Sequence, residues 1–268
     1  MKKIALTSLL AVFAAAGANA ANVIDGNPLY MPKAGHFYSE TAVSSHSEAT
    51  DSWMITEEFG YGINDKLAVS VNTNLFEEEG FDVYGWGHLG LNATFRALDR
   101  GAWKADVYGG YVAGADSAYG RSALVVYDDA ADDTFWFDKD IVNYMWKAGV
   151  RGGYTTSLWT VAGHAEFNYL ESESFNWGDE GLHIWKFGID GQYVIDSNWN
   201  LVAGAEYAGL TDDGAKNAGT WEGKLGVNYN IDATKYLGAY VSGALTHGTG
   251  DWEWADGFGF GVKFGIDF

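Results

Sequence analysis

Beyond residue 33 the chain contains no proline, and from residue 35 to its end apolar side chains alternate with small or polar ones. A period of two places successive side chains on opposite faces of a strand, whereas a helix needs a repeat near 3.6. Proline removes a donor from a strand ladder, so its absence over so long a run suits an unbroken hydrogen-bonded sheet. The C-terminus shows the pattern plainly: Phe258, Phe260, Val262, Phe264, Ile266 and Phe268 alternate with Gly257, Gly259, Gly261, Lys263, Gly265 and Asp267. The same rhythm predicts twelve strands, at 35–46, 51–63, 66–76, 81–97, 102–114, 142–154, 157–170, 182–195, 199–210, 218–231, 235–246 and 255–268.

The connections sort into two kinds. Tight turns follow every second strand, at Asn64-Asp65-Lys66, Leu98 to Gly101, Thr155-Thr156-Ser157, Asp196-Ser197-Asn198 and Asp232-Ala233-Thr234, while the others are mostly longer. Short turns at one end and long loops at the other are what an up-and-down transmembrane β-barrel requires. Aromatics on the apolar face add a length scale: Trp53 and Tyr61, Trp103 and Tyr111, Trp146 and Tyr154, Trp159 and Phe167, Trp185 and Tyr193, Trp199 and Tyr207, and Trp221 and Tyr229 lie eight residues apart. Eight residues cover ~26 Å of strand, or ~20 Å along a membrane normal at ~40° tilt. The pairs fit two aromatic girdles flanking a hydrocarbon band.

Met1 to Ala20 has the layout of a secretory signal: Lys2 and Lys3, a short apolar run from Ile4 to Ala16, then the small residues Ala18-Asn19-Ala20. The run is well short of the ~20 residues a spanning helix needs, and no later segment holds ~18 consecutive apolar residues. Cleavage leaves a short periplasmic leader at 21–34 ahead of the barrel at 35–268. There is no cysteine, hence no disulfide framework.

On these residues the chain resembles the outer-membrane β-barrel proteins of Gram-negative bacteria, porin-like ones included. It shares a Lys-rich signal, alternating strands, tight turns at one end and a closing strand GFGFGVKFGIDF ending in an aromatic. The resemblance implies an all-β fold, a closed antiparallel transmembrane β-barrel of twelve strands in up-and-down meander order. It also implies an outer-membrane location and the barrel assembly machinery as a partner, which in that family reads the terminal aromatic, here Phe268. No subfamily motif is present, so no substrate comes with it.

Lys2 and Lys3 are the only charged residues before residue 21, so the remainder carries 36 acids, 14 bases and a net charge of −22. Such acidity argues against nucleic acid as a partner. The long connections at 47–51, 77–82, 115–140, 171–180, 211–217 and 247–256 hold 22 acids against Arg121, Lys139 and Lys216. The acidity therefore belongs to one rim. It is either a solvated loop surface, or a funnel for cations or a place where divalent ions bridge to lipopolysaccharide. No run has the spacing of a dedicated calcium loop.

The face opposite the aromatics is polar. Lys147, Glu166, Lys186, Glu206 and Glu222 lie near the loop side on successive strands, with Lys224 two residues deeper. Arg96, Lys104, Asp106 and Arg151 form a second, more basic group near the turns. Each group is either a salt-bridged wall or a constriction that selects solutes. Twelve strands are intermediate between a filled barrel of about eight and an open channel of about sixteen. Inward Gly149, Gly188, Gly204, Gly226 and Gly261 favour open volume, whereas inward Tyr84, Trp86, Tyr108, Tyr236 and Tyr240 reduce it.

Four places depart from the pattern, one of them the strand at 235–246, which places Tyr236 and Tyr240 inward if Leu237, Ala239, Val241 and Leu245 face lipid. Glu57 falls on the apolar parity between Trp53 and Tyr61, where a charge is costly unless a bulge or a shifted strand start moves it. HFYSETAVSS gives no clear facing, and SALVVY at 122–127 is a strand extension, a hairpin or an extra strand. His88 and His164 face inward and His46 lies in SSHSE, but none comes with a placed serine and a third orienting group. No phosphate loop, metal cluster or cofactor fingerprint is present, so no catalytic residue, metal or cofactor is assigned. The expected function is a porin-like channel for ions or small hydrophilic solutes. The alternatives are a closed surface scaffold or adhesive barrel working through the 115–140 loop, with its Phe135-Trp136-Phe137, and third an outer-membrane lipid-modifying enzyme.

Overall fold

The computed structural model describes residues 26–46, 49–78, 83–114, 125–128, 133–136, 144–171, 181–210, 219–246 and 258–268. The first five strands are β1 (Phe37–His46), β2 (Ala49–Asn64), β3 (Leu67–Glu78), β4 (Val83–Arg100) and β5 (Trp103–Ala113). A short hairpin follows, β6 (Val125–Asp128) and β7 (Asp133–Trp136). Then come β8 (Tyr144–Thr155), β9 (Trp159–Glu171), β10 (Leu182–Val194), β11 (Trp199–Leu210), β12 (Gly219–Asp232), β13 (Lys235–Ala244) and β14 (Phe258–Asp267).

Consecutive strands pair antiparallel, β5 pairs with β8, and β14 returns to β1 in the register Tyr38↔Asp267 to His46↔Gly259. The sheet thus closes into a barrel of twelve strands in meander order. Closure gives every barrel strand a partner on both sides. Each barrel strand lies within three residues of its predicted limits. The β6–β7 hairpin rides on the Val83–Trp86 end of β4, beyond the point where β5 stops at Ala113. Residues 125–127 are therefore part of a hairpin outside the barrel count; residues 122–124 lie outside the described residues.

Side-chain parity sorts by exposure. Leu91, Val107, Ile189 and Leu225 are about half exposed on the outer face, while Asn72, Asp106 and Asn228 on the opposite parity are at most 5% exposed. Strand β1 takes the same sense, with Tyr38, Glu40 and Ala42 buried and Phe37 and Val43 outside. On β13, Tyr236 points in and is fully buried, and Leu237 and Val241 point out. The aromatics of each row meet across the ladder: Trp103 with Tyr154 at 4.9 Å and Trp199 with Tyr229 at 4.9 Å near the turns, Tyr111 with Trp146 at 4.5 Å and Phe167 with Trp185 at 5.0 Å near the loops.

Two expectations are corrected here. A register shift between β3 and β4 at Thr73/Leu75 marks a bulge at Gly87–His88. The extra residue reverses parity, so Trp86 faces outward at 47% exposure instead of inward, and its indole N–H donates to Thr73 Oγ1. The side chain of Tyr84 lies outside the described residues, as does that of His46. At Glu57 neither a bulge nor a shifted start occurs, because both ladders run continuously from Trp53 to Tyr61. The carboxylate stays on the outer face, where it accepts hydrogen bonds from Ser39 Oγ at 2.5 Å and from Thr41 Oγ1.

The tight turns are built from side chains that cap their own backbone. Asp196 Oδ1 accepts from the amides of Asn198 at 2.8 Å and Trp199 at 2.9 Å, and Asn64 Oδ1 accepts from the Lys66 amide at 2.8 Å. Asp232, at the end of β12, accepts from the backbone N–H and the hydroxyl of Thr234, and those donors hold its pKa down to about 2. Gly101, in the β4–β5 turn, has φ 62°, a left-handed conformation that costs a side-chain-bearing residue energy. Much of the long connections, with most of the acidic rim, falls outside the described residues.

Candidate functional site in the barrel lumen

The inner wall balances its charges. Glu40, Glu58, Asp106, Glu166, Asp190, Glu206, Glu222 and Asp267 share it with Arg96, Lys104, Lys147, Arg151, Lys186, Lys224 and Lys263, so little of the chain's acidic excess is on the described inner wall. Near the loop side Lys147, Glu166 and Lys186 are buried, at 6%, 4% and 1% exposure. Lys186 Nζ lies 3.3 Å from Glu206 Oε1, and Asn168 donates to Glu166 at 3.0 Å. Glu222 and Lys224 are half-buried, the latter with its ammonium 4.2 Å from the Tyr240 ring centroid.

The structure adds partners that strand parity alone did not name. His164 Nδ1 lies 3.1 Å from Asp190 Oδ2 and its Nε2 lies 2.9 Å from Glu206 Oε2. Both ring nitrogens are thus taken by carboxylates, from β10 and β11, which leaves neither to activate a hydroxyl. Asp190, with its side chain 40% exposed, is the most open of these groups. On the β1 side, Glu40 accepts from the Tyr236 hydroxyl, Lys263 Nζ lies 3.6 Å from it, and Tyr38 donates to Glu58 at 2.5 Å. A buried charge is tolerable when its partners are this close.

Inward glycines do not leave the lumen open. Several bulky inward side chains lie across the ladder from a glycine and fill the space where that residue's Cβ would stand. Tyr108 covers Gly149, His164 covers Gly188, Asp190 covers Gly204, and Tyr240 covers both Gly261 and Gly226. The same device, absent from the sequence reading, sets Tyr38 against Gly60 and Tyr236 against Gly265.

At the turn-side end, Asp106, 1% exposed, accepts from Arg96 Nε and, at 2.7 Å, from Arg151 Nε. Lys104 stands apart, 4.0 Å from Asp99 in the nearby turn. Each guanidinium also donates to the backbone of residues before β1: Arg96 to the Leu29 carbonyl at 2.7 Å and Arg151 to the Tyr30 carbonyl at 2.9 Å. Leu29 is 2% exposed. The Tyr30 hydroxyl donates to Asp267 on β14, and its ring meets Tyr38 edge-on at 6.1 Å. Further upstream, Gly26 reaches Val202 and Asn228 on β11 and β12. Residues 26–34, expected as a periplasmic leader, therefore run inside the turn-side mouth from β2 past β4 and β8 to the far wall; residues 21–25 lie outside the described residues.

No family model matches the chain, and no curated protein matches it in sequence. Solved structures match its fold. An outer membrane channel from Pseudomonas putida F1 has TM-score 0.57 and 13% identity, covering 92% of this chain and 100% of that one. The NanC porin has TM-score 0.56 and 8% identity over 86% and 98% of the two chains, and the KdgM porin 0.53 and 9% over 86% and 99%. At such identities the likeness is one of fold: a closed barrel of the kind outer-membrane channels use.

Proposed function

We propose that this chain spans the outer membrane of a Gram-negative bacterium as a narrow porin-like channel for ions or small hydrophilic solutes. One observation carries the reading: a closed barrel with an apolar outer face encloses a wall of paired charges, the arrangement by which pores carry polar solutes through hydrocarbon. The porins and the channel that share the fold support it. In this reading Met1 to Ala20 is the cleaved export signal, the two aromatic rows are the interfacial girdles, and the acidic loops meet lipopolysaccharide and gather cations. Phe268 presents its aromatic end to the assembly machinery, and its amide and carbonyl pair with those of Phe37 at the seam.

Purified, refolded protein in a planar bilayer gives discrete conductance steps if the reading is right. Silent insertion of protein whose folding has been verified, both intact and with residues 26–33 deleted, overturns it. The backbone lying across the turn-side mouth is the observation that favours the second reading, a closed surface scaffold.

A further inference from the structure

We propose that residues 26–34 are a dissociable plug, held in the turn-side mouth by the Arg96–Asp106–Arg151 cluster, and that the channel conducts when this segment leaves the lumen. The inference rests on the channel reading. Three features carry it. First, the segment spans the opening, with Gly62 of β2 against the Pro32 and Lys33 carbonyls at one end and Val202 and Asn228 against Gly26 at the other. Second, residues 26–34 belong to no strand: short of Gly35, whose amide bonds to the Gly62 carbonyl at 2.7 Å, their contacts with the wall include two guanidinium-to-carbonyl bonds, the Tyr30–Asp267 bond and the buried side chains of Pro28, Leu29 and Pro32. The barrel wall, by contrast, is a continuous ladder, so the segment can leave without breaking a strand pair. Third, the arginines do not depend on it. Asp106 remains bonded to both, so withdrawal strips one acceptor from each guanidinium and water supplies the replacement.

The geometry provides a lock. A Cβ added at Gly26 lies 3.6 Å from the Val202 Cβ, inside the range a disulfide spans. The chain has no cysteine of its own, so Gly26→Cys with Val202→Cys creates a single possible bridge, at the cost of a side chain at φ 81°. Three proteins are compared in planar bilayers after refolding is checked by circular dichroism and heat-modifiable gel mobility: wild type, a deletion of residues 26–33, and the double cysteine variant with its bridge confirmed by mass. Wild type is expected to switch between closed and open levels. The deletion is expected to stay at the open level, with open probability raised at least several-fold. The oxidised pair is expected to stay closed until dithiothreitol restores wild-type switching.

Equal open probability and conductance in the deletion and wild type overturn the plug and leave the channel standing. An oxidised pair that conducts like its reduced form does the same, and this comparison uses one polypeptide, so it holds even if the deletion fails to fold. Silence of wild type, deletion and reduced pair alike, all folded, overturns the channel reading instead.

Discussion

Glu57 is the residue whose position local chemistry explains least and its neighbours explain best. Midway between Trp53 and Tyr61 on the outer face, it is held by two hydroxyls of β1, Ser39 and Thr41, which replace part of the water a carboxylate loses in an apolar medium. Hydrogen bonds to neutral donors offset that loss only in part. Replacing it with leucine is therefore expected to stabilise the folded barrel, by about 1–2 kcal/mol, since acidic side chains on a lipid face are destabilising by amounts of that order. Reversible urea unfolding in lipid vesicles measures this. A loss of stability in Glu57→Leu would mean that the hydroxyl–carboxylate cluster is itself stabilising.

Between elements, the organising rule is complementarity across the ladder. An antiparallel pair brings directly opposed side chains within about 5 Å, so a large inward ring needs a small residue opposite it. Tyr236, fully buried, lies across from Gly265, and a Cβ there would sit 2.8 Å from the ring's Cδ1. Gly265→Val is expected to lower stability by about 1–3 kcal/mol, the usual cost of overfilling a packed site. Gly163 provides the control: it faces outward, and its nearest contact for a new Cβ is the Gly188 carbonyl at 3.7 Å, so Gly163→Ala should change stability by less than about 0.5 kcal/mol. Equal losses in the two variants, read from the same unfolding curves, would discard the rule. The bulge at Gly87–His88 belongs to this scale too: one added residue turns Trp86 out while His88 stays in, where its Nε2 lies 2.9 Å from Asn72 Oδ1.

For the whole molecule, the distribution of charge matters more than its total. The lumen is balanced by close pairs, while the excess of acid sits in the connecting segments. A channel built this way is expected to prefer cations mildly, and the preference should fade at high salt as the rim is screened over a Debye length that falls to about 3 Å at 1 M. Reversing Glu206 and Glu222 to lysine adds positive charge beside Lys186 and Lys224. If these side chains line the path, the reversal potential in a salt gradient shifts toward anions; an unchanged potential removes them from it.

Strand positions, the turn ends, the inward placement of Lys147, Glu166, Lys186 and Arg151, and the inner and outer faces apart from β1 and Trp86 were legible from residue order, because the two-residue alternation of a strand is a property of the local backbone and its solvent. The partners were not. That His164 meets Asp190 and Glu206, that glycines face rings instead of leaving space, and that Leu29 and Tyr30 reach Arg96 and Arg151 all depend on how far each strand is offset from its neighbours and on which strands close the cylinder. Those offsets are set collectively around the ring, by closure, and a segment without periodicity such as residues 26–34 acquires its place only once that ring exists to enclose it.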